Sequence, residues 1–294
     1  MTATTVQTTA GGRWWQAVED PVYGPKALAL LEQFPPRTRA ATWPATEQER
    51  TEVLQRLLAP PFLPVGDTRL HVYRAGAVRV LRWLESQPGT TWQERWQVSG
   101  ADAAGNLAWR ELCSHRGDAT SRPVDPHYEF LSAGRGIMAL ICADVIRPSV
   151  SWLLTPHMVK DLARQLARTR DAAGFAAVKQ ACAERQLNEN HEYQVLGRIA
   201  VIVASKGGLL RDITVGDCLE LAAALQRGKT RRQPGLAFYQ ALRAIGVFPP
   251  AAPSTVRMLA VPGQKTIEQL IDAYGIESRP IRDLLVDYLR ERQP

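Results

Sequence analysis

Between Leu221 and Ile267 the chain holds no aspartate or glutamate, yet it carries Arg227, Lys229, Arg231, Arg232, Arg243, Arg257 and Lys265. Those seven cations equal the formal net charge of the whole protein, +7. Clustered cations without carboxylates suit one chemistry above others: they neutralise phosphates along a polyanion and release its condensed counterions. Residues 266–292 follow directly, patterned as two short helices about a glycine. Thr266 with Gln269 makes a capping box, and Ile267, Leu270, Ile271 and Tyr274 form the inner face of a first helix. Gly275 permits the left-handed backbone of a tight turn. Ser278 caps a second helix, Pro280 suits its first turn, and Ile281, Leu284, Leu285, Tyr288 and Leu289 are expected to line it. In a helix-turn-helix, Arg279 and Arg282 would project from the start of that second helix toward base edges and phosphates. Asp283 and Asp287 fall on its outer side and oppose deep insertion. An αα-hairpin packed on the rest of the protein would show the same pattern.

Other candidate chemistries are weaker. Gly228-Lys229-Thr230 meets the loosest form of a phosphate loop, but such a loop leaves a strand and uses glycines to free backbone N–H groups. Here a helical pattern precedes it, residues 223–227 offer no glycine, and Pro234 follows closely. A loop that touches DNA phosphates, or a solvated charged loop, fits better. His157 and Lys160 stand three apart, with Tyr193 further on, a faint echo of DNA strand-exchange chemistry. That chemistry needs several cations around the scissile phosphate and a presented tyrosine. No first arginine site precedes His157, and Asp161 would repel a phosphate, so Lys160, Arg164 and Arg168 read as a solvated helix face. His71, His115, His127 and His191 are scattered, and Val195 occupies the position where H-E-x-x-H needs its second histidine. Cys113, Cys142, Cys182 and Cys218 form no C-x-x-C pair and are expected as reduced thiols in helical cores. The pattern implies no metal and no cofactor.

The elements that must position these residues are helical. Thr46 with Glu49 caps a helix to about residue 58, and a second runs from 68 to 86 until Pro88-Gly89 stops it. Thr91 restarts one, and Trp83, Trp92, Trp96 and Trp109 supply an aromatic core. Further helices are expected over 136–146, 156–168, 171–185 and 189–204, the last closed by Gly207-Gly208. Val201-Ile202-Val203 fits a buried helix as well as a strand. Thr214 to Asp217 opens another helix, and 234–245 is the next. No strand alternation persists, so the fold class is all-α. Three segments follow: an arm with one helix (1–64), a helical domain (65–204), and a basic helical domain (206–294) ending in the helix-turn-helix-like pair. Trp14-Trp15 in the proline-rich arm are expected to pin it to the body.

At 294 residues, with 45% hydrophobic and 22% charged residues, the chain has the makeup of globular domains with sizeable cores. A pI near 9.5 favours acidic partners. The best apolar run, 136–146, is broken by Asp144 and flanked by Arg135 and Arg147, well short of the roughly 20 residues a membrane span requires. Residues 1–12 are polar and threonine-rich, without the features of a signal peptide. A cytoplasmic, nucleoid-associated protein is expected.

Several phrases resemble actinobacterial site-specific integrases related to tyrosine recombinases. They are the stretch 69–96 with Pro88-Gly89-Thr90-Thr91-Trp92-Gln93-Glu94-Arg95-Trp96, the stretch 212–221, the stretch 238–250, and the closing 273–292. The likeness covers most of residues 60–294. In that family helical domains clamp the duplex, while a separate C-terminal domain carries the catalytic arginine, lysine and histidine set and the nucleophilic tyrosine. No residue here matches that catalytic motif, so none is carried over. The resemblance implies a DNA-clamping portion of an integrase without strand cleavage of its own. Double-stranded DNA is the expected partner, with self-association on it, and no membrane. Two other classes fit the residues: a helix-turn-helix transcription regulator, and a helical scaffold whose basic surface meets an acidic protein.

Overall fold

The computed structural model describes residues 23, 25–39, 47–62, 70–114, 126–154, 156–227, 237–256, 267–272, 274–276 and 278–292. Its regular elements are helices: α1 (Pro25–Gln33), α2 (Glu47–Leu57), α3 (Leu70–Glu85), α4 (Trp92–Val98), α5 (Ala101–Ser114), α6 (Pro126–Cys142), α7 (Val150–Leu153), α8 (Pro156–Thr169), α9 (Ala172–Glu184), α10 (Glu189–Lys206), α11 (Val215–Arg227), α12 (Ala237–Ala244), α13 (Ile267–Asp272) and α14 (Arg279–Arg292). The all-α class follows. No helix among the described residues is long and apolar enough to cross a membrane.

Two helices organise the body. In α10 almost every residue from Val195 to Lys206 is buried, so Val201-Ile202-Val203 lies in a central helix. The helices α7, α8, α9, α11 and α12 pack around it. Beside them α3 and α6 cross in close contact, because glycines meet where they touch. A methyl built on Gly76 would stand 1.8 Å from the carbonyl oxygen of Ser132, and one on Gly136 would stand 2.2 Å from the carbonyl carbon of Gly76. Only hydrogen fits at either position.

Local signals set most boundaries. Thr91 caps α4 in a full capping box with Glu94, Asp171 caps α9 and Asn188 caps α10. Gly207 ends α10 at φ 73°, with the Arg147 guanidinium seated where a side chain would be. The expected helix over 136–146 is corrected at both ends: α6 begins at Pro126 and stops at Cys142. Asp144 takes the left-handed conformation, φ 64°, while the Val145 N–H bonds the Leu140 carbonyl and the Asp144 N–H bonds Ile141, which is a Schellman stop built without glycine. Asp144 is held there by Arg147, whose Nε and Nη2 donate to its carboxylate at 2.7 and 2.8 Å.

The aromatic core forms as expected and gains a member. Trp83, Trp96 and Trp109 meet at 6.1–6.2 Å between centroids, and Trp152 of α7 stands edge-on to Trp96 at 5.3 Å. Asp102 ties this cluster to its surroundings. Its carboxylate accepts from the Trp96 indole N–H at 3.0 Å, the Ser149 N–H at 2.9 Å and Arg39 at 2.6 Å. One continuous apolar core then runs from Val53 to Val256.

The arm holds two helices rather than one, since α1 precedes α2. The chain after α1 is clipped to the start of α11, about 180 residues away in sequence. Arg37 donates its backbone N–H to Asp217 Oδ1 at 2.8 Å, its Nε to Oδ2 at 2.7 Å and its Nη1 to the Gly207 carbonyl at 2.9 Å. Asp217 also accepts from the Thr214 N–H at 3.1 Å, closing the N-terminus of α11. Trp14-Trp15, expected to pin the arm, lie outside the described residues.

All four cysteines are buried free thiols. Burial pushes the Cys142 thiol up to about 12. Below pH about 9 native and unfolded chains both hold that proton, and the contribution to stability is complete. Between about 9 and about 12 only the unfolded chain releases it, so stability should fall as pH climbs through that window. Denaturant titrations at stepped pH check the slope. At pH 8 a thiol reagent should find no rapidly reacting cysteine in the native protein and four after denaturation.

Candidate nucleic-acid interface

The acid-free tract joins three helices. Arg227 closes α11, and its side chain lies outside the described residues, as do Lys229, Arg231, Arg232, Arg257 and Lys265. The tract's anchor points are described. The next described helix, α12, is strongly two-faced: Phe238, Tyr239, Ala241 and Leu242 are buried, and Arg243 is exposed away from them. That orientation is rigidly set. Tyr239 stacks on Phe248 at 4.7 Å and donates its hydroxyl to the Pro253 carbonyl at 2.7 Å, and burial raises its phenol to about 12.

The structure adds a cation here that sequence reasoning missed. Arg185, exposed at the end of α9, hydrogen-bonds Gln240 on α12, less than one turn before Arg243. Arg185 and Arg243 therefore lie close together along the second half of α12. No local signal in the sequence couples positions 185 and 240, because their approach comes from the packing of α9 on α12.

The terminal helices do pair, and they pack chiefly on each other. Their contact inverts the expected face. Ile271 and Val286 are the buried apolar residues of the hairpin, while Ile281, Leu284, Leu285, Tyr288 and Leu289 are exposed. Tyr274, also expected inside, is 83% exposed. The reason lies in the charges. Arg282 donates to both oxygens of Asp272 at 2.6 and 3.2 Å and to Asp283 at 3.1 Å, and Arg290 pairs with Glu268. These contacts turn the arginine side of α14 onto the short α13. The hydrogen bond from Arg282 holds the Asp272 carboxyl below its ordinary range. Arg279 is exposed at the first position of α14.

Residues 267–292 carry four arginines against six carboxylates, so the hairpin is net acidic although the tract before it is wholly basic. A helix that reads a groove presents polar and cationic side chains. Here the outward side is apolar, and Arg282 is already engaged.

His157 and Lys160 sit in the first two turns of α8, their side chains outside the described residues. Arg164 pairs with Asp161 at 2.8 Å on the solvent side of the helix. Tyr193 lies on α10, and its hydroxyl is pushed up by burial and by the nearby Asp161 carboxylate, the opposite of what activates a nucleophile. No family model, curated protein or solved structure matches this chain.

Proposed function

We propose that this chain binds duplex DNA through its phosphate backbone, as the clamping portion of an integrase-like recombinase. The observation that carries it is the 45-residue interval without a carboxylate, residues 222–266, which holds seven cations. Arg227, Lys229, Arg231 and Arg232, at and after the end of α11, supply phosphate contacts. Arg243 extends them along the outer side of α12, and Arg185 joins from α9. Arg257 and Lys265 continue the same charge toward the terminal hairpin. A single-sign surface of this kind binds all sequences alike and loses affinity steeply with salt. The transcription-regulator alternative needs α14 in a groove, and its apolar outward side and net acidic hairpin speak against that role for Arg279 and Arg282.

The test is the salt dependence of binding to a short duplex. Changing Arg231→Ala with Arg232→Ala should flatten the log–log slope by roughly two units, about 0.9 for each phosphate that no longer meets a cation. Arg185→Ala with Arg243→Ala should act in the same direction, and Arg279→Ala should leave the slope and the sequence preference unchanged. Wild-type protein that fails to retard DNA even at low salt would sink the proposal and favour a scaffold for an acidic protein.

A further inference from the structure

The outer strip of α3 is cationic from end to end. His71, Arg74, Val78 and Arg82 follow one another at spacings of three, four and four, which sets them along one line of the helix. His71, Arg74 and Arg82 are exposed, and Val78 is half-buried. Residues 68–84 contain no aspartate or glutamate. The first carboxylate on this line is Glu85, one turn beyond Arg82, and Arg50 of α2 neutralises it at 2.5 Å. Helix α6, which crosses α3, adds Arg135, whose guanidinium stands 5.8 Å from the centre of the Tyr73 ring. Residues 130–143 of that helix likewise hold no carboxylate. Helix α8 is equally rich in cations, but its own chain engages them. There Arg164 pairs with Asp161 at 2.8 Å, and Arg168 donates to the Phe62 carbonyl at 2.9 Å and to Gln165 at 2.5 Å. Arg74 and Arg82 have no hydrogen bond or ion pair among the described residues.

We propose that this strip is a second phosphate-binding surface, and that duplex DNA lies along it as well as along the basic tract. The partner rests on the reading above; the site is separate from it. α3 packs chiefly on α2, α4, α5 and α6, whereas the tract connects α11 to α12, which pack around α10. At 1.5 Å per residue Arg74 and Arg82 stand about 12 Å apart along the helix, roughly the width of a major groove, so each can meet a phosphate on a different wall. A duplex presents one negative charge per about 1.7 Å of its axis, which matches a line of cations with no carboxylate to repel it. An anionic membrane fits less well. Binding to lipid needs an apolar side to enter the interface, and Val78 is the one large apolar side chain on the strip.

The salt dependence of binding to a short duplex separates this site from the tract. Full-length Arg74→Ala with Arg82→Ala should flatten the log–log slope by roughly two units, about 0.9 for each lost phosphate contact. Arg74→Lys with Arg82→Lys should keep the wild-type slope, because lysine preserves the charge. Both double variants should melt at the wild-type temperature, since neither arginine bonds its own described chain. Joining the alanine pair to Arg231→Ala and Arg232→Ala should flatten the slope by the sum of the two effects. Wild-type protein that binds DNA while the alanine pair at 74 and 82 keeps its slope overturns this proposal and leaves the tract standing. A flattened slope at 74 and 82 beside no effect at 231 and 232 supports the strip and removes the loop cations from the site. Weakened binding to vesicles of anionic lipid, with DNA binding unchanged, would also overturn the proposal and assign the strip to a membrane surface. Wild-type protein that retards no duplex ends both readings.

Discussion

Gly136→Ala is expected to destabilise the protein by about 3 kcal/mol or more, although alanine ordinarily improves a helix by about 1 kcal/mol over glycine. The sign reverses because the new methyl would stand 2.2 Å from the Gly76 carbonyl carbon and 2.5 Å from the Ala77 nitrogen. Those are backbone atoms, which cannot swing aside as a side chain can. Gly76→Ala meets the Ser132 carbonyl even more closely and should cost at least as much. Both changes would force α3 and α6 apart and open the apolar layer between them. Chemical denaturation measures the loss directly. A Gly136→Ala protein as stable as wild type would mean that the two helices do not cross at these glycines.

Asp217→Ala should remove about 3 kcal/mol, the second large effect, by a different route. The side chain is fully buried and paired with Arg37 at 2.7 Å, and it also receives the Arg37 and Thr214 backbone N–H groups. Deleting one partner of such a pair leaves the other charge and two donors unsatisfied, which costs far more than the intact pair contributes. Arg37→Met should cost at least as much, because it leaves the fully buried Asp217 carboxylate without its cation, whereas an orphaned Arg37 still reaches water. The change also frees residues 34–39 from α11, so limited proteolysis should cut there faster than in wild type. Unchanged stability together with unchanged cleavage would show that the arm is held by α1 alone.

What sequence reasoning captured here was whatever local chemistry encodes. Thr91, which restarts a helix, and Gly207, which stops one, each mark a helix end within a turn of sequence, and the helices expected over 171–185 and 189–204 form as α9 and α10. The end of α6 was missed because its stop residue is Asp144. Aspartate takes the left-handed region less readily than glycine, and here Asp144 is held by Arg147 three residues on and by Arg170, which folding brings within 3.7 Å. The helix α1 lacks a long periodic pattern and depends on α11 for its packing. Likewise the pairing of Arg37 with Asp217, and of Arg185 with Gln240, joins residues with no sequence relation. The basic tract was legible as charge, since the absence of carboxylates needs no fold to be seen. Its geometry was not. On α14 the apolar spacing gave the correct helix but the wrong inner side, because ion pairs to Asp272 and Glu268 settled which side meets α13.

The nested indoles have a spectroscopic corollary. Trp96 lies against Trp83, Trp109 and Trp152, close enough for excitation to migrate among them, and no tryptophan occurs after Trp152. Intrinsic emission thus witnesses the melting of the central body and is blind to α13 and α14. Far-ultraviolet ellipticity senses every helix alike. Should the C-terminal pair detach or fray first on warming, ellipticity will begin to fall while the emission maximum has yet to move, and the gap between the two curves will time that event.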